Sequence, residues 1–192
     1  MRRIGVFGGT FDPPHLGHLV LAEWACARLR LDRVLFVPAG VPPHKRGRRL
    51  SEPAHRLAMV RLAAWGNPAL AVSDLEARRA GPSFTVDTLR ALRRRYPGAR
   101  LFLLMGADSL ADFATWRDPG AITRLATLVV AARPQPTRRA RSARLPGGAQ
   151  ALVPARACVV HLDNPIVDIS SSVLRARARA RQPRRYLVPD RG

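Results

Sequence analysis

Short apolar runs alternate with stretches of helical periodicity along almost the whole chain, and this alternation restricts the fold more than any other feature. "RRIGVFG", "RVLFVP", "ALAVSDLE", "ARLFLLMG", "TLVVAAR" and "ACVVHL" read as strands. Between them, "HLGHLVLAEWACARLRL", "SEPAHRLAMVRLAAWG" and "SFTVDTLRALRRRYPG" carry apolar residues three and four apart and read as helices. Ser51 is placed to cap the second helix, with Pro53 in its first turn, and Pro97–Gly98 stops the third. "ADSLADFATW" and "AITRLA" give two short helices and "SSSVLRARARARQ" a closing one. Strand followed by helix, repeated, predicts an α/β fold: a parallel sheet, doubly wound, with helices on both faces. At 192 residues the chain fits one domain, 1–192. Residues 134–150 have neither periodicity nor an apolar face and read as an exposed loop.

In such a Rossmann-like sheet, ligands lie outside the carboxyl ends of the strands, where the strand order reverses. The unusual residues of this chain collect at that end. The first strand runs into "GGTFDPPHLGH", the second into "PAGVPPHK", the fourth into "MGAD", and the last leads through "NPIVDISSS" into a helix.

The chemistry these loops suit is phosphate chemistry. Gly8 and Gly9 let the backbone approach a ligand closely. The helix that follows points its free N–H groups and positive dipole end into the same space. His15 and His18 fall on one face of its first turn, where two imidazoles can donate to phosphate oxygens, and Gly17 keeps the surface between them open. A zinc pair or a helix-capping histidine are the other readings, and zinc would need at least a third protein ligand. "DISSSVLR" forms a second anion site: Ser170, Ser171 and Ser172 open a helix, and Arg175 lies one turn beyond Ser171 with a guanidinium that can fork onto phosphate. An ordinary serine-capped helix with a solvated arginine is the plainer account of that stretch alone.

Absences narrow the reaction. The chain has no GxxxxGK[ST] loop, no GxGxxG and no nucleophile elbow around the serine of "GPSFTV". Direct phosphoryl chemistry between bound partners, with no covalent enzyme intermediate, is the expectation. Lys45 is the only lysine among 33 basic residues, so it reads either as a point charge that arginine cannot replace or as a chance survivor.

The net charge of +20 is compatible with polyanionic partners, but arginine-for-lysine usage on solvated faces accounts for it without one and is the preferred reading. The arginine runs lack the interleaved aromatics of a nucleic-acid surface, so no specific nucleic acid is expected. No apolar run approaches the ~18 residues of a membrane span, and the first one breaks at Gly8–Gly9, too soon for a signal peptide. Cys26 and Cys158 stand apart in apolar settings and read as small buried hydrophobes in a reducing, cytoplasmic protein. A homo-oligomer stays open.

"GGTFDPPHLGH" and "ISSSVLR" resemble the paired HxGH and ISSTxxR-type signatures of the nucleotidyltransferase superfamily. "SFTVDTL", "LFLLMGADSLADFATWRDP" and "RYLVPD" are similar, in order, to the bacterial nicotinate-nucleotide adenylyltransferases, so the resemblance spans most of the chain. Ser172 and Leu174 depart from the threonine and isoleucine common there. The resemblance implies adenylyl transfer from ATP to nicotinate mononucleotide, with Mg²⁺, giving nicotinate adenine dinucleotide and pyrophosphate. It implies that His15, His18, Lys45 and Arg175 serve catalysis, and that Gly8, Gly9, Thr10, Phe11, Gly106, Asp108, Ser171 and Ser172 complete the ATP site. Lys45, Thr85, Trp116 and Arg133 would bind the mononucleotide. It gives no protein ligand for Mg²⁺. Nicotinamide mononucleotide or phosphopantetheine as acceptor, and more distantly a basic nucleic-acid-binding module, are the alternatives.

Overall fold

A computed structural model describes residues 1–43, 50–132, 153–154 and 157–189. Six strands form one sheet: β1 (Arg3–Gly9), β2 (Arg33–Pro38), β3 (Leu70–Val72), β4 (Arg100–Gly106), β5 (Ala126–Ala131) and β6 (Val159–Leu162). All pairings are parallel, and the order is β3-β2-β1-β4-β5-β6. The winding reverses between β1 and β4, which are direct neighbours with Phe7 opposite Leu104.

Beyond the arginine that opens β1, β2 and β4, the central strands are almost wholly apolar because both faces are covered. The period of two is still visible in where the side chains go. Ile4, Val6, Leu35, Val37, Leu101, Leu103, Leu128 and Val130 pack on one face against α3 (Thr85–Arg95) and α5 (Pro119–Leu125), through Leu89, Leu92 and Ile122. Phe7, Val34, Phe36, Phe102, Leu104 and Val129 pack on the other against α1 (Leu16–Leu29) and α2 (Pro53–Ala64), through Ala22, Ala25, Val60 and Ala64. Alanines on α1 let that helix lie close to the sheet. The remaining helices are α4 (Ala107–Ala111), a 3-10 turn at Phe113–Thr115, and α6 (Ser171–Arg179).

Three local expectations change. Ser51 does not cap α2: Glu52 holds that position without a side-chain bond, while Ser51 gives its N–H to Asp12 Oδ2 at 3.1 Å. The third strand is shorter than "ALAVSDLE": it ends at Val72 because the chain turns soon after, with Arg78 N–H donating to Asp74 O. Cys158 is exposed rather than buried, since it lies just before the edge strand β6. Residues 134–150 fall outside the described residues.

Candidate active site

A cleft of about 1350 Å³ opens at the carboxyl ends of the strands, over the β1/β4 switch. Its walls bring together Gly8, Gly9, Thr10, Phe11, His15 and His18 from the first loop, Gly106 from the end of β4, and Thr85 and Trp116 from the α3 side. Ser171, Ser172 and Arg175 of α6 complete it. Asp108 is exposed and does not line the cleft; its neighbours Gly106 and Ser109 do. Lys45 and Arg133 lie outside the described residues.

Within the first loop, two glycines have different reasons. A Cβ on Gly8 would meet nothing within 4 Å, so the backbone there faces open cleft. A Cβ on Gly9 would sit 2.8 Å from the Phe11 ring. Phe11 itself is buried, at φ +48°, with its ring edge-on to Phe7, Phe36 and His18. The ring of Phe11 is therefore the floor of the loop and not a surface for a ligand to stack on. Phe11 nonetheless lines the cleft.

His15 is the N-cap of α1 and His18 its third residue. The backbone N–H of His15 donates to His18 Nδ1 at 3.1 Å, closing one side of a capping box. The capping and phosphate readings are thus not rivals. Because Nδ1 accepts, the proton of a neutral His18 ring sits on Nε2, which makes that nitrogen a donor. The two rings lie 3.7 Å apart, centroid to centroid. Gly17 makes room for this: a Cβ there would stand 3.1 Å from His15 Nδ1. Its smallness accommodates the imidazole rather than keeping the surface clear.

The second anion site is docked on the first. Ser170 caps α6 by accepting from Val173 N. Ser171 Oγ donates to Pro13 O at 2.8 Å, and Arg175 Nη1 donates to Asp12 O at 2.6 Å. Arg175 Nη2 also reaches Ser172 Oγ at 3.2 Å. With its hydroxyl proton committed to Pro13, Ser171 offers an anion its backbone N–H instead. With Val173 N capped, the Ser171 and Ser172 amides and the dipole are what the helix start can offer an anion.

On the other side, α3 begins at Thr85, directly after Phe84. Arg117 stacks over the Phe84 ring at 4.7 Å, and Arg90 bonds Asp118 at 3.0 Å, tying α3 to the Trp116 segment. Trp116 rests on Phe113 with its ring half-buried. The Trp116 backbone N–H donates to Phe113 O, leaving the Arg117 backbone N–H as the donor of that stretch. Below them Glu76 is buried; Thr88 Oγ1 donates to it at 2.6 Å, and burial pushes its carboxyl pKa up.

Two residues of the site carried no role in the sequence reading. Asp12 is 4% exposed and takes the Ser51 N–H, while its carbonyl takes Arg175. Arg56 is 1% exposed and donates to the carbonyls of Thr10, Ala39, Gly40 and Ser51. Desolvation by burial pulls the Arg56 pKa down and the nearby Asp12 charge opposes this. A signal for it was present: Arg56 falls in helical register with Val60, Ala63 and Ala64, the buried face of α2.

The arrangement holds two helix N-termini, a pair of imidazoles and a guanidinium around one cleft. It can bind a polyphosphate on the α1/α6 side and a second group on the α3 side. Residues 6–177 match the family described as cytidylyltransferase-like. A protein of Thermomicrobium roseum, named probable nicotinate-nucleotide adenylyltransferase, is 48% identical over 191 residues, covering 98% of this chain and 86% of its own. One of the same name from Corynebacterium kroppenstedtii is 44% identical over 188 residues, covering 98% and 85%. Among solved structures, the Plasmodium falciparum nicotinic acid mononucleotide adenylyltransferase complexed with NaAD superposes with a TM-score of 0.70 at 16% identity, over 92% of this chain and 83% of that one. At that identity the likeness is one of fold.

Proposed function

The chain belongs to the cytidylyltransferase-like family and, within it, to the nicotinate-nucleotide adenylyltransferases, and on that premise we propose how its cleft transfers an adenylyl group from ATP to nicotinate mononucleotide. The observation that carries the reading is the convergence of α1 and α6 on one phosphate surface, fastened by Arg175 to Asp12 O and Ser171 to Pro13 O.

ATP lies with its phosphates between the two helix N-termini. His18 Nε2–H, His15 and Thr10 face the α-phosphate region; the first-turn amides of α6 and the remaining N–H groups of Arg175 hold the β and γ groups. Adenosine lies by Gly106, with Asp108 at the rim. A phosphate oxygen of the mononucleotide attacks the α-phosphorus in line, and the bond to the bridging oxygen breaks as pyrophosphate leaves. The protein contributes position and stabilisation of the charge that grows on the leaving group. No group transfers a proton to a covalent intermediate, because none forms.

Mg²⁺, which would neutralise charge on the phosphates, would be carried in by ATP itself. The donor set suits this: among the described residues no three His, Cys, Asp or Glu side chains group to hold a metal, and Asp12 is buried against Ser51. Phosphate oxygens and water are the ligands Mg²⁺ prefers in such sites. Lys45 and Arg133 keep the role the resemblance gives them, at the mononucleotide phosphate.

The acid is preferred over the amide. A carboxylate only accepts hydrogen bonds, and the first-turn amides of α3 at Thr85, together with Arg117 N–H, only donate. Nicotinamide would turn an NH₂ toward a donor, at about 1–3 kcal/mol for each unmade bond. Pyrophosphate release from ATP with nicotinate mononucleotide, nicotinamide mononucleotide and phosphopantetheine tests this directly. We expect the acid to win in kcat/KM by roughly 10²-fold. Equal use of both pyridines would remove the specificity; activity with phosphopantetheine alone would overturn the assignment.

A further inference from the structure

The buried guanidinium of Arg56 connects segments that the proposed reaction must hold in register. Nη1 donates to Thr10 O at 3.0 Å and Ala39 O at 2.6 Å, Nη2 to Gly40 O at 2.8 Å, and Nε to Ser51 O at 2.9 Å. Thr10 belongs to the loop after β1, on the ATP side. Ala39 and Gly40 follow β2 and in sequence precede Lys45, which the resemblance assigns to the acceptor. Ser51 leads into α2, from which the side chain comes. Gly40 is fixed from its other side too, by N–H donation to Ser83 Oγ at 3.1 Å and by the Glu76 carbonyl, which a Cβ on Gly40 would strike. An arginine buried merely to fill space would not be aimed at four carbonyl oxygens from two loops, including both ends of the β2–α2 connection.

Resting on the adenylyl-transfer reading above, we propose that Arg56 is a positioning residue: it sets the distance between the ATP loop and the acceptor loop, and touches neither substrate. Each loop makes its own contacts with its own substrate. What their separation governs is the approach of the attacking oxygen to the α-phosphorus, and a displacement of about 1 Å in such an approach can cost about 10²-fold in rate. Lysine cannot replace arginine here, because its three donors radiate from one nitrogen and cannot span carbonyls placed around a planar fork.

The test is Arg56→Lys, read by thermal melting, steady-state kinetics and amide hydrogen exchange. We expect a folded variant whose KM for each substrate stays within about threefold while kcat falls about 10²-fold, the split that marks lost transition-state alignment. Amides at 10–12 and 39–41 should lose protection together, with β1 and β4 unchanged. A folded variant with near-normal kcat, or a loss carried wholly by one KM, overturns the proposal. If the wild-type chain releases no pyrophosphate, the adenylyl reading fails, and the paired loss of protection still decides whether Arg56 joins the loops. Should Arg56→Lys not fold, wild-type exchange with ATP alone decides instead: slowing at 39–41 as well as 8–11 is expected, and slowing confined to 8–11 overturns it.

Discussion

Arg175 donates from Nη1 to the carbonyl oxygen of Asp12 at 2.6 Å, across 163 residues of sequence. This bond carries the N-terminus of α6 onto the loop after β1 and brings two distant motifs to one wall of the cleft.

Arg175→Ala should therefore weaken ATP and pyrophosphate interaction while leaving the mononucleotide KM nearly unchanged. Losing a hydrogen bond of a charged group costs about 1.5–3 kcal/mol, or roughly 10- to 10²-fold in KM for ATP. Initial-rate kinetics in both substrates measure this. An effect confined to the mononucleotide would mean the two phosphate sites are exchanged.

His18 has two jobs that a substitution can separate. His18→Gln keeps an acceptor at the third helical position, where glutamine closes a capping box, but removes the imidazole. His18→Ala removes both. Turnover should fall about 10²-fold in each, whereas the melting temperature should drop clearly only in His18→Ala, by the loss of a cap worth about 1 kcal/mol. Near-normal turnover in His18→Gln would show that the ring serves the helix alone.

Glu76 gives a pH dependence of known sign. Desolvation raises its pKa above the ordinary 4.5, outweighing the lowering by Thr88, Arg79 and Ser83. The folded state thus holds the proton more tightly than the unfolded chain. The stability this brings is complete below about 4.5 and is lost as pH rises through the folded value. Relative to Glu76→Gln, the wild type should become progressively less stable on going from pH 4 to neutrality. Thermal melts of the pair across that range check it, and parallel curves would contradict it.

The two cysteines should differ in reactivity. Burial, with help from Glu23, pushes the Cys26 thiol up to about 11, whereas Cys158 is exposed. Only a thiolate alkylates readily. With iodoacetamide at pH 8, peptide mass mapping should show Cys158 modified well before Cys26 in the folded protein, and both alike in denaturant. Equal rates in the folded protein would show that Cys26 is not shielded.

Much of the frame was legible because its causes are local. Apolar runs of strand length bounded by glycine, proline and charge gave β2 with the bounds it has, Arg33–Pro38, and gave β1 and β4 nearly so. The serine run before "VLR" was read as the start of a helix, and Ser170 caps it. Where the reading went astray, a distant partner had intervened. Ser51 looked like a cap until Asp12 took its N–H, and Gly17 looked like open space until the His15 ring was seen beside it. Cys158 sits in an apolar stretch, but it precedes an edge strand that has a neighbour on one side only.

The sequence by itself determined the alternation of strands and helices and the end of the sheet at which the odd residues gather. These follow from residue spacing, since a period of two or of 3.6 is written within a few positions. Only the tertiary structure decided how the loops are joined. Arg56 reaches acceptors 46, 17, 16 and 5 residues away, and Arg175 one 163 away. Every one of those acceptors is a backbone carbonyl, except the Ser172 hydroxyl that Arg175 also meets. A carbonyl is present at every residue and distinguishes none of them in sequence. It becomes a partner only when the fold aims it at a buried donor that has no water to turn to.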